Sequence, residues 1–266
     1  MMYKDFIISS LGQASKIANN KFGHVSHTVK QYDNNQLLTE ADLAIGQLLI
    51  QEVERNFPDH NIIDEEAGAI DKNSSFTWVI DPIDGTSNFA AGLPHYGIMI
   101  GLLRGAEPIA GGIALPFFNE IYVAEKGSGT WLGDQQIHVS NETSLLNSLV
   151  AYGIDGNQQN PESTRSEART LGEIVLGIRN LRASSSAYDF IQVANGKYGA
   201  FLAQTSKIWD NVAPQIIIEE AGGIYTDFNG QPIDYSNALS KTDANFTFCA
   251  ASSAAHQQLQ RIIHSV

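Results

Sequence analysis

The stretch FTWVIDPIDGTSNF, residues 76–89, constrains the fold of this chain more than any other. Its first five residues form an apolar run that reads as a buried strand, and the run ends in two carboxylates, Asp81 and Asp84, with Pro82 between them. A solvated turn is the commonest meaning of such a pair. Here Pro82 and Gly85 fix the backbone around both acids, so their directions are specified as well as their charge, and the pattern points to a site.

With 266 residues, 43% of them hydrophobic, the chain can bury a large core without disulfides or structural zinc. Sixteen basic against 29 acidic residues give a formal charge of −13, which repels phosphate backbones and argues against nucleic acid as a general partner. A small phosphorylated ligand stays possible if bound cations reverse the local field. The one cysteine, Cys249, excludes an internal disulfide and reads as a buried small hydrophobe in a reducing compartment. No segment has the roughly 18 consecutive apolar residues of a membrane span or the apolar core of a signal peptide, which leads to the expectation of a cytoplasmic protein.

Along the chain, the spacing predicts an amphipathic helix within residues 1–23, then a second over Thr39–Phe57 stopped by Pro58. HNIIDEE reads as a short strand, followed by a loop and the FTWVI strand. Residues 96–140 read as an antiparallel meander of four or five strands, with turns at Arg104-Gly105, Phe118-Asn119, Lys126-Gly127 and Gly133-Asp134. From SLVAYGI onward, strands alternate with helices, and the fold class expected is mixed α/β. The expected division is an N-terminal α+β half, 1–145, and a C-terminal α/β half, 146–266, in one compact unit.

The acids gather at strand ends, where ligand sites form in α/β proteins: Glu65 and Glu66 after HNIID, Asp81 and Asp84 after FTWVI, and Asp210 after SKIW. Carboxylates without basic partners raise one another's pKa unless a cation lies among them. Oxygen-only donors favour Mg²⁺, or Mn²⁺, over zinc or copper. His24, His27, His60, His95, His138, His256 and His264 form no metal-binding pattern and read as structural or surface residues. Gly85-Thr86-Ser87 reads as a helix start whose amides can bind an anion, with Thr86 or Ser87 as the cap. Cations beside a phosphate cradle suit phosphoryl hydrolysis by an activated water.

WVIDPIDGTSNF resembles the first signature of the inositol monophosphatase family, and WDNVAPQIIIEEAGG resembles its second. LLTEAD and IIDEEAG are similar to further family elements, in the family's order, and the match runs from the Lys30 region to FCAASSAAHQQLQRII. The resemblance implies a layered α-β-α-β-α sandwich of the sugar phosphatase type and Mg²⁺-dependent, Li⁺-sensitive hydrolysis of a phosphate monoester, with two or three ions in turnover and a homodimer. Carried over by position, Glu65, Asp81 and the Ile83 carbonyl resemble the ligands of one metal, and Asp81, Asp84 and Asp210 those of a second. Asp81 would then bridge the two ions. Ile83, Asp84, Gly85, Thr86 and Asp210 would contact substrate. Glu65 and Thr86 would orient the attacking water, and Asp42 would pair with Thr86 to take its proton.

The chain departs from this pattern around the leaving group. Relatives selective for inositol phosphates carry an acid where this chain has Ala203, and an alanine cannot hydrogen-bond a sugar hydroxyl. Ser184, Ser185 and Ser186 replace a Gly-Ser/Thr-Ala element, and either contact substrate hydroxyls or cap the next helix. Lys207 is placed to bind a second phosphate or a carboxylate, or is an ordinary exposed lysine. Asp64 stands where a glycine often precedes the paired glutamates. Inositol monophosphate or a related sugar or polyol phosphate is the first substrate expectation. Fructose 1,6-bisphosphate, 3′-phosphoadenosine 5′-phosphate and histidinol phosphate are alternatives on the same fold. A metal-binding interaction protein with secondary activity is the alternative from another class.

Overall fold

The computed structural model describes residues 3–23, 27–29 and 37–266. His24, the side chain of His27 and the Lys30 region, all named above, lie outside the described residues. The first elements are α1 (Lys4–Lys21), β1 (His27–Val29), β2 (Leu37–Thr39), α2 (Glu40–Asn56), β3 (Asn61–Asp64), β4 (Gly68–Ile70), β5 (Phe76–Asp84) and α3 (Thr86–Ala90). The meander follows as β6 (Gly97–Arg104), β7 (Glu107–Leu115), β8 (Glu120–Glu125), β9 (Thr130–Leu132) and β10 (Gln135–Ile137). Next come β11 (Leu149–Gly153), α4 (Pro161–Leu176), β12 (Asn180–Arg182), α5 (Ala187–Ala194) and β13 (Ala200–Ser206). The chain ends with α6 (Val212–Glu220), β14 (Ile224–Thr226), β15 (Phe246–Ala251) and α7 (Ser253–Ile263). The hairpin strand β4 falls in a segment that reads as loop, because three residues are too few to display a period.

An eight-stranded sheet in the order β10-β9-β8-β7-β6-β5-β3-β4 and a five-stranded sheet in the order β12-β11-β13-β15-β14 organise the layers. Both are mixed: β3 runs parallel to β5, and β11 parallel to β12 and β13. Helices α1 and α2 cover one face of the larger sheet through Ile7, Leu11, Ala14, Ile45, Leu49 and Val53. On its other face α5 and α6 are sandwiched against the smaller sheet, and α4 and α7 close the outside of that sheet. This is the α-β-α-β-α order expected.

Strand alternation decides which layer each side chain enters. Ile98, Ile100 and Leu102 of β6 join the core under α1 and α2, whereas Met99 joins that under α5 and α6. Two facing glycines, Gly101 of β6 and Gly111 of β7, let α6 sit directly on the sheet. A Cβ on Gly101 would lie 2.7 Å from Val212 Cγ1 and 2.8 Å from the Ala213 amide nitrogen; one on Gly111 would lie 2.7 Å from Ile216 Cγ2. Because α6 begins two residues after Asp210, this close approach also sets how deep that carboxylate reaches. Gly101→Ala is therefore expected to destabilise the fold by about 1–3 kcal/mol through overpacking and to weaken Mg²⁺ binding. Denaturant unfolding and calorimetric titration check the pair, and unchanged Mg²⁺ affinity in a destabilised variant would uncouple the helix seat from the site.

Other sequence expectations find physical roles. Cys249 is fully buried in β15, and burial pushes its thiol up to about 12. His60 accepts a hydrogen bond from Trp78 Nε1 (3.1 Å) and stacks on Phe57 and Phe76, and His256 pairs with the Thr226 hydroxyl (2.9 Å). His138 and His264 are exposed. Among the described residues, no helix is long and apolar enough to cross a membrane.

Candidate metal centre

The pairing of β5 with β6 explains the spacing of the two aspartates. Asp81 lies opposite Met99 and Asp84 opposite Gly97, so three steps along β5 match two along β6. In a regular strand, residues three apart face opposite sides; the extra residue in this bulge turns Asp84 back to the side of Asp81. Pro82, which has no N–H to give to a ladder, is suited to that position. The strand thus continues through Asp-Pro-Ile-Asp, where the sequence reads as a strand ending at Ile80.

Gly85 then turns the chain into α3 at φ +85°, and a Cβ there would lie 2.8 Å from Ser186 Cβ. Glycine is required on both counts. The helix cap is Gly85, which corrects the expectation of Thr86 or Ser87. The Thr86 hydroxyl instead donates to the Ile83 carbonyl (2.8 Å), fastening the bulge from within.

Asp210 comes from the other sheet, on a 3₁₀ turn over Ile208–Asp210. Its Oδ2 accepts the Lys207 backbone N–H at 2.6 Å. The fully buried Asn211 holds this turn: its Nδ2 donates to Ser206 Oγ (2.9 Å) and the Lys207 carbonyl (2.5 Å), and its Oδ1 accepts the Tyr225 hydroxyl (3.0 Å).

Ligand oxygens of Asp81, Asp84 and Asp210 lie within 4.8 Å of one another. Burial pushes the Asp81 carboxyl well above the ordinary range, and Glu65, Asp84, Asp210 and Asp42 push it further. Asp84 is raised by burial and then by Asp210, against a lowering hydrogen bond from the Ala187 backbone. Asp81 Oδ1 and Asp84 Oδ2 are buried with no hydrogen-bond partner among the described residues. Lys207 lies nearby, but its ammonium donates to the Asp243 carbonyl. Converging carboxylate oxygens, of which Asp81 Oδ1 and Asp84 Oδ2 are buried, and oxygen donors throughout fit a hard divalent cation such as Mg²⁺.

The cluster opens into a cleft of about 230 Å³ that is also lined by Glu65, Ile83, Gly85, Thr86, Asn88, Asp155, Ser184, Ser185, Lys207 and Trp209. Of the residues expected to bind metal or substrate or to act in catalysis by the family resemblance, all but Asp42 line it; Glu66, Ser186 and Ala203, named for other reasons, do not. Asp42 is buried at the start of α2, where its Oδ2 accepts the Thr39 backbone N–H (2.8 Å) and the Thr39 hydroxyl (2.5 Å). The expected Asp42–Thr86 pair is not formed, because each group is held by a local partner. Burial still raises the Asp42 carboxyl to about 6, with Glu66 adding to it.

Asp64 gains an account as well: its Oδ1 accepts the Glu66 and Ala67 amides (3.0 and 2.8 Å), turning β3 into the hairpin with β4 and presenting Glu65. Ser186 is the N-cap residue of α5, while Ser184 and Ser185 line the cleft. Sequence reasoning missed Asn88, whose Nδ2 donates to the carbonyls of His95 (2.7 Å) and Ser184 (2.9 Å) and so ties α3 to the loop preceding α5. It also missed Asn211, Asp155 and the buried Asp189. Asn88 and Asn211 each sit inside a quoted motif, and a polar amide in such apolar company was the available signal.

Comparison with known proteins agrees with this geometry. Residues 5–265 match the model of the inositol monophosphatase family. A Thermotoga maritima protein named fructose-1,6-bisphosphatase/inositol-1-monophosphatase is 32% identical over 262 residues, covering 98% of this chain and 96% of that protein. A Pasteurella multocida protein named Nus factor SuhB is 32% identical over 198 residues, 74% of this chain and 73% of that one. The solved structure of a Thermotoga maritima IMPase superposes with a TM-score of 0.85 at 28% identity, covering 100% of this chain and 98% of that one. With its two signatures, its layered fold and its converging carboxylates, the chain belongs to the inositol monophosphatase family.

Proposed function

We propose that this chain is a Mg²⁺-dependent phosphatase that hydrolyses the phosphate monoester of a small alcohol, in the range of inositol monophosphate and related sugar or polyol phosphates, with water as the nucleophile. The observation that carries this reading is the convergence of Asp81, Asp84 and Asp210 on one volume at the floor of an open cleft. Family membership supports the same chemistry.

Glu65, Asp81, the Ile83 carbonyl, Asp84 and Asp210 would hold the cations, with Asp81 shared between two. Mg²⁺ bound there supplies positive charge for the phosphoryl and leaving oxygens and lowers the pKa of water. The protein's own groups do the rest. The Gly85 and Thr86 amides, at a helix start without intrahelical acceptors, would donate to phosphate oxygens. Because the Thr86 hydroxyl proton is committed to the Ile83 carbonyl, its lone pairs remain for the attacking water. Glu65, on the same cleft wall, is the group to take that water's proton. Asp42 acts at a distance, through its charge on Asp81 and by closing the capping box with Thr39 at the start of α2.

The test is phosphate release across inositol 1-phosphate, fructose 1,6-bisphosphate, 3′-phosphoadenosine 5′-phosphate and histidinol phosphate, with Mg²⁺, with EDTA and with Li⁺ added. Turnover that requires Mg²⁺ and is lost in EDTA is expected; turnover unaffected by EDTA would refute the metal chemistry. Inhibition by Li⁺, a homodimer and a cytoplasmic location rest on the family resemblance and the default drawn from sequence.

A second reading is favoured by the relatives named Nus factor SuhB: a role as an interaction protein in addition to, or in place of, catalysis. The charge of −13 makes an acidic or nucleic-acid surface a poor direct partner for it. A folded, Mg²⁺-binding protein that turns over none of the esters would favour this second reading.

A further inference from the structure

Beside the metal cleft lies a second cavity of about 140 Å³, continuous with it through Asp84, Ser185 and Asp210, which line both. Its remaining walls differ in kind. Phe190, Phe201 and Phe248 form an aromatic floor, with ring centroids 4.7 to 4.9 Å apart. Ala203 sits among them, paired with Phe248 across β13–β15 and with Gly153 across β11–β13. A Cβ placed on Gly153 would touch Ser185 Oγ at 3.4 Å, Ala203 Cβ at 3.5 Å and Phe201 Cε2 at 3.8 Å, so these four residues surround one small space.

Beyond Asp84, Ser185 and Asp210, which it shares with the metal cleft, four polar residues line this space. Thr205 and Asp155 stand exposed at its rim, and the Ser206 hydroxyl accepts a hydrogen bond from Asn211. Ser186 contributes a buried hydroxyl with no hydrogen-bond partner among the described residues. Among the described residues the lining holds no lysine or arginine, so a second phosphate would meet carboxylates there. A ring covered in hydroxyls would press several of them against phenyl faces that cannot accept or donate. By contrast, a flat apolar ring matches an aromatic floor, and a space of this size compares with the roughly 150 Å³ apolar cavities that admit benzene.

We propose that this annex receives the alcohol part of the substrate and selects an alcohol bearing an uncharged planar ring over the hydroxyl-covered ring of an inositol. The inference rests on the phosphatase reading, and replaces its inositol and polyol range with a different leaving-group class for that same site. Ala203 is the specificity-determining position: it leaves the floor uncovered where a carboxylate would claim hydroxyls. One hydroxyl on the ring-bearing alcohol can still be met by Ser186.

The experiment compares kcat/KM of the Mg²⁺-loaded protein for benzyl phosphate, glycerol 2-phosphate and inositol 1-phosphate. A preference of at least tenfold for benzyl phosphate over inositol 1-phosphate, expressed mainly in KM, is expected. Ala203→Glu should move that ratio at least tenfold toward inositol 1-phosphate, and the wild-type ranking stands by itself if the variant does not fold. Inositol 1-phosphate preferred or equal in the wild type overturns the ring inference while leaving the phosphatase reading intact. No turnover of any ester, glycerol 2-phosphate included, by folded and metal-loaded protein overturns the phosphatase reading and the inference with it.

Discussion

Asp81→Asn is expected to lower phosphate release by on the order of 10³-fold or more while the protein stays folded, a loss of roughly 4 kcal/mol of transition-state stabilisation. The side chain keeps its size, so the bulge on β5 and its packing are not disturbed. What changes is charge: the residue that sits deepest in the cluster and feels Glu65, Asp84 and Asp210 together no longer carries any. A neutral amide ligates Mg²⁺ weakly, and the remaining carboxylates lose the member proposed to be shared between two ions. Stability of the metal-free variant should rise, because an uncompensated buried acid has been removed. Circular dichroism, calorimetric Mg²⁺ titration and initial rates test the three parts separately. Near-normal turnover with intact Mg²⁺ affinity would show that Asp81 is not the shared ligand.

Most of the fold is legible in the sequence because its elements are long and strongly periodic. PESTRSEARTLGEIVL and NVAPQIIIEEAGG read as helices and fold as helices over Pro161–Leu176 and Val212–Glu220, and the alternation of strands and helices after residue 148 carries through. What escapes is geometry that depends on a neighbouring strand. Asp81-Pro82-Ile83-Asp84 reads as a turn, since nothing in the local sequence reveals that β6 will pair on both sides of Pro82 and force a bulge. The same limit applies to Asp42 and Thr86. The family resemblance implies a pair, but whether a hydroxyl reaches across to a carboxylate or bonds the carbonyl three residues back is settled by backbone placement. The Gly85 cap follows the same rule: Thr86 and Ser87 are the better capping side chains, and Gly85 prevails because the corner needs a positive φ and faces Ser186.

Acid should stabilise the metal-free protein, the reverse of the usual response of paired carboxylates. Asp81 and Asp84 are held above their ordinary range, Asp42 is raised to about 6 and Asp189 to about 7, in every case with burial as the leading cause. Between the unfolded value near 3.8 and these folded values the native state binds protons that the unfolded chain does not. Stability therefore falls as pH rises through that window and levels off above it. Asp42 alone accounts for about 3 kcal/mol across its interval, at 1.36 kcal/mol per pH unit. Mg²⁺ binds the deprotonated carboxylates, so its stabilising effect runs the other way and grows with pH. In EDTA the Tm is expected to be higher at pH 5.5 than at pH 8, and saturating Mg²⁺ is expected to raise it more at pH 8. The overall charge of −13 would also favour the acidic side by relieving self-repulsion. Asp81→Asn separates the two causes: it changes the total charge by one, yet removes the central member of the buried cluster, so a local origin predicts a markedly flatter pH dependence and a smaller Mg²⁺ shift. A variant with the slope and the Mg²⁺ shift of the parent would assign the effect to global charge instead.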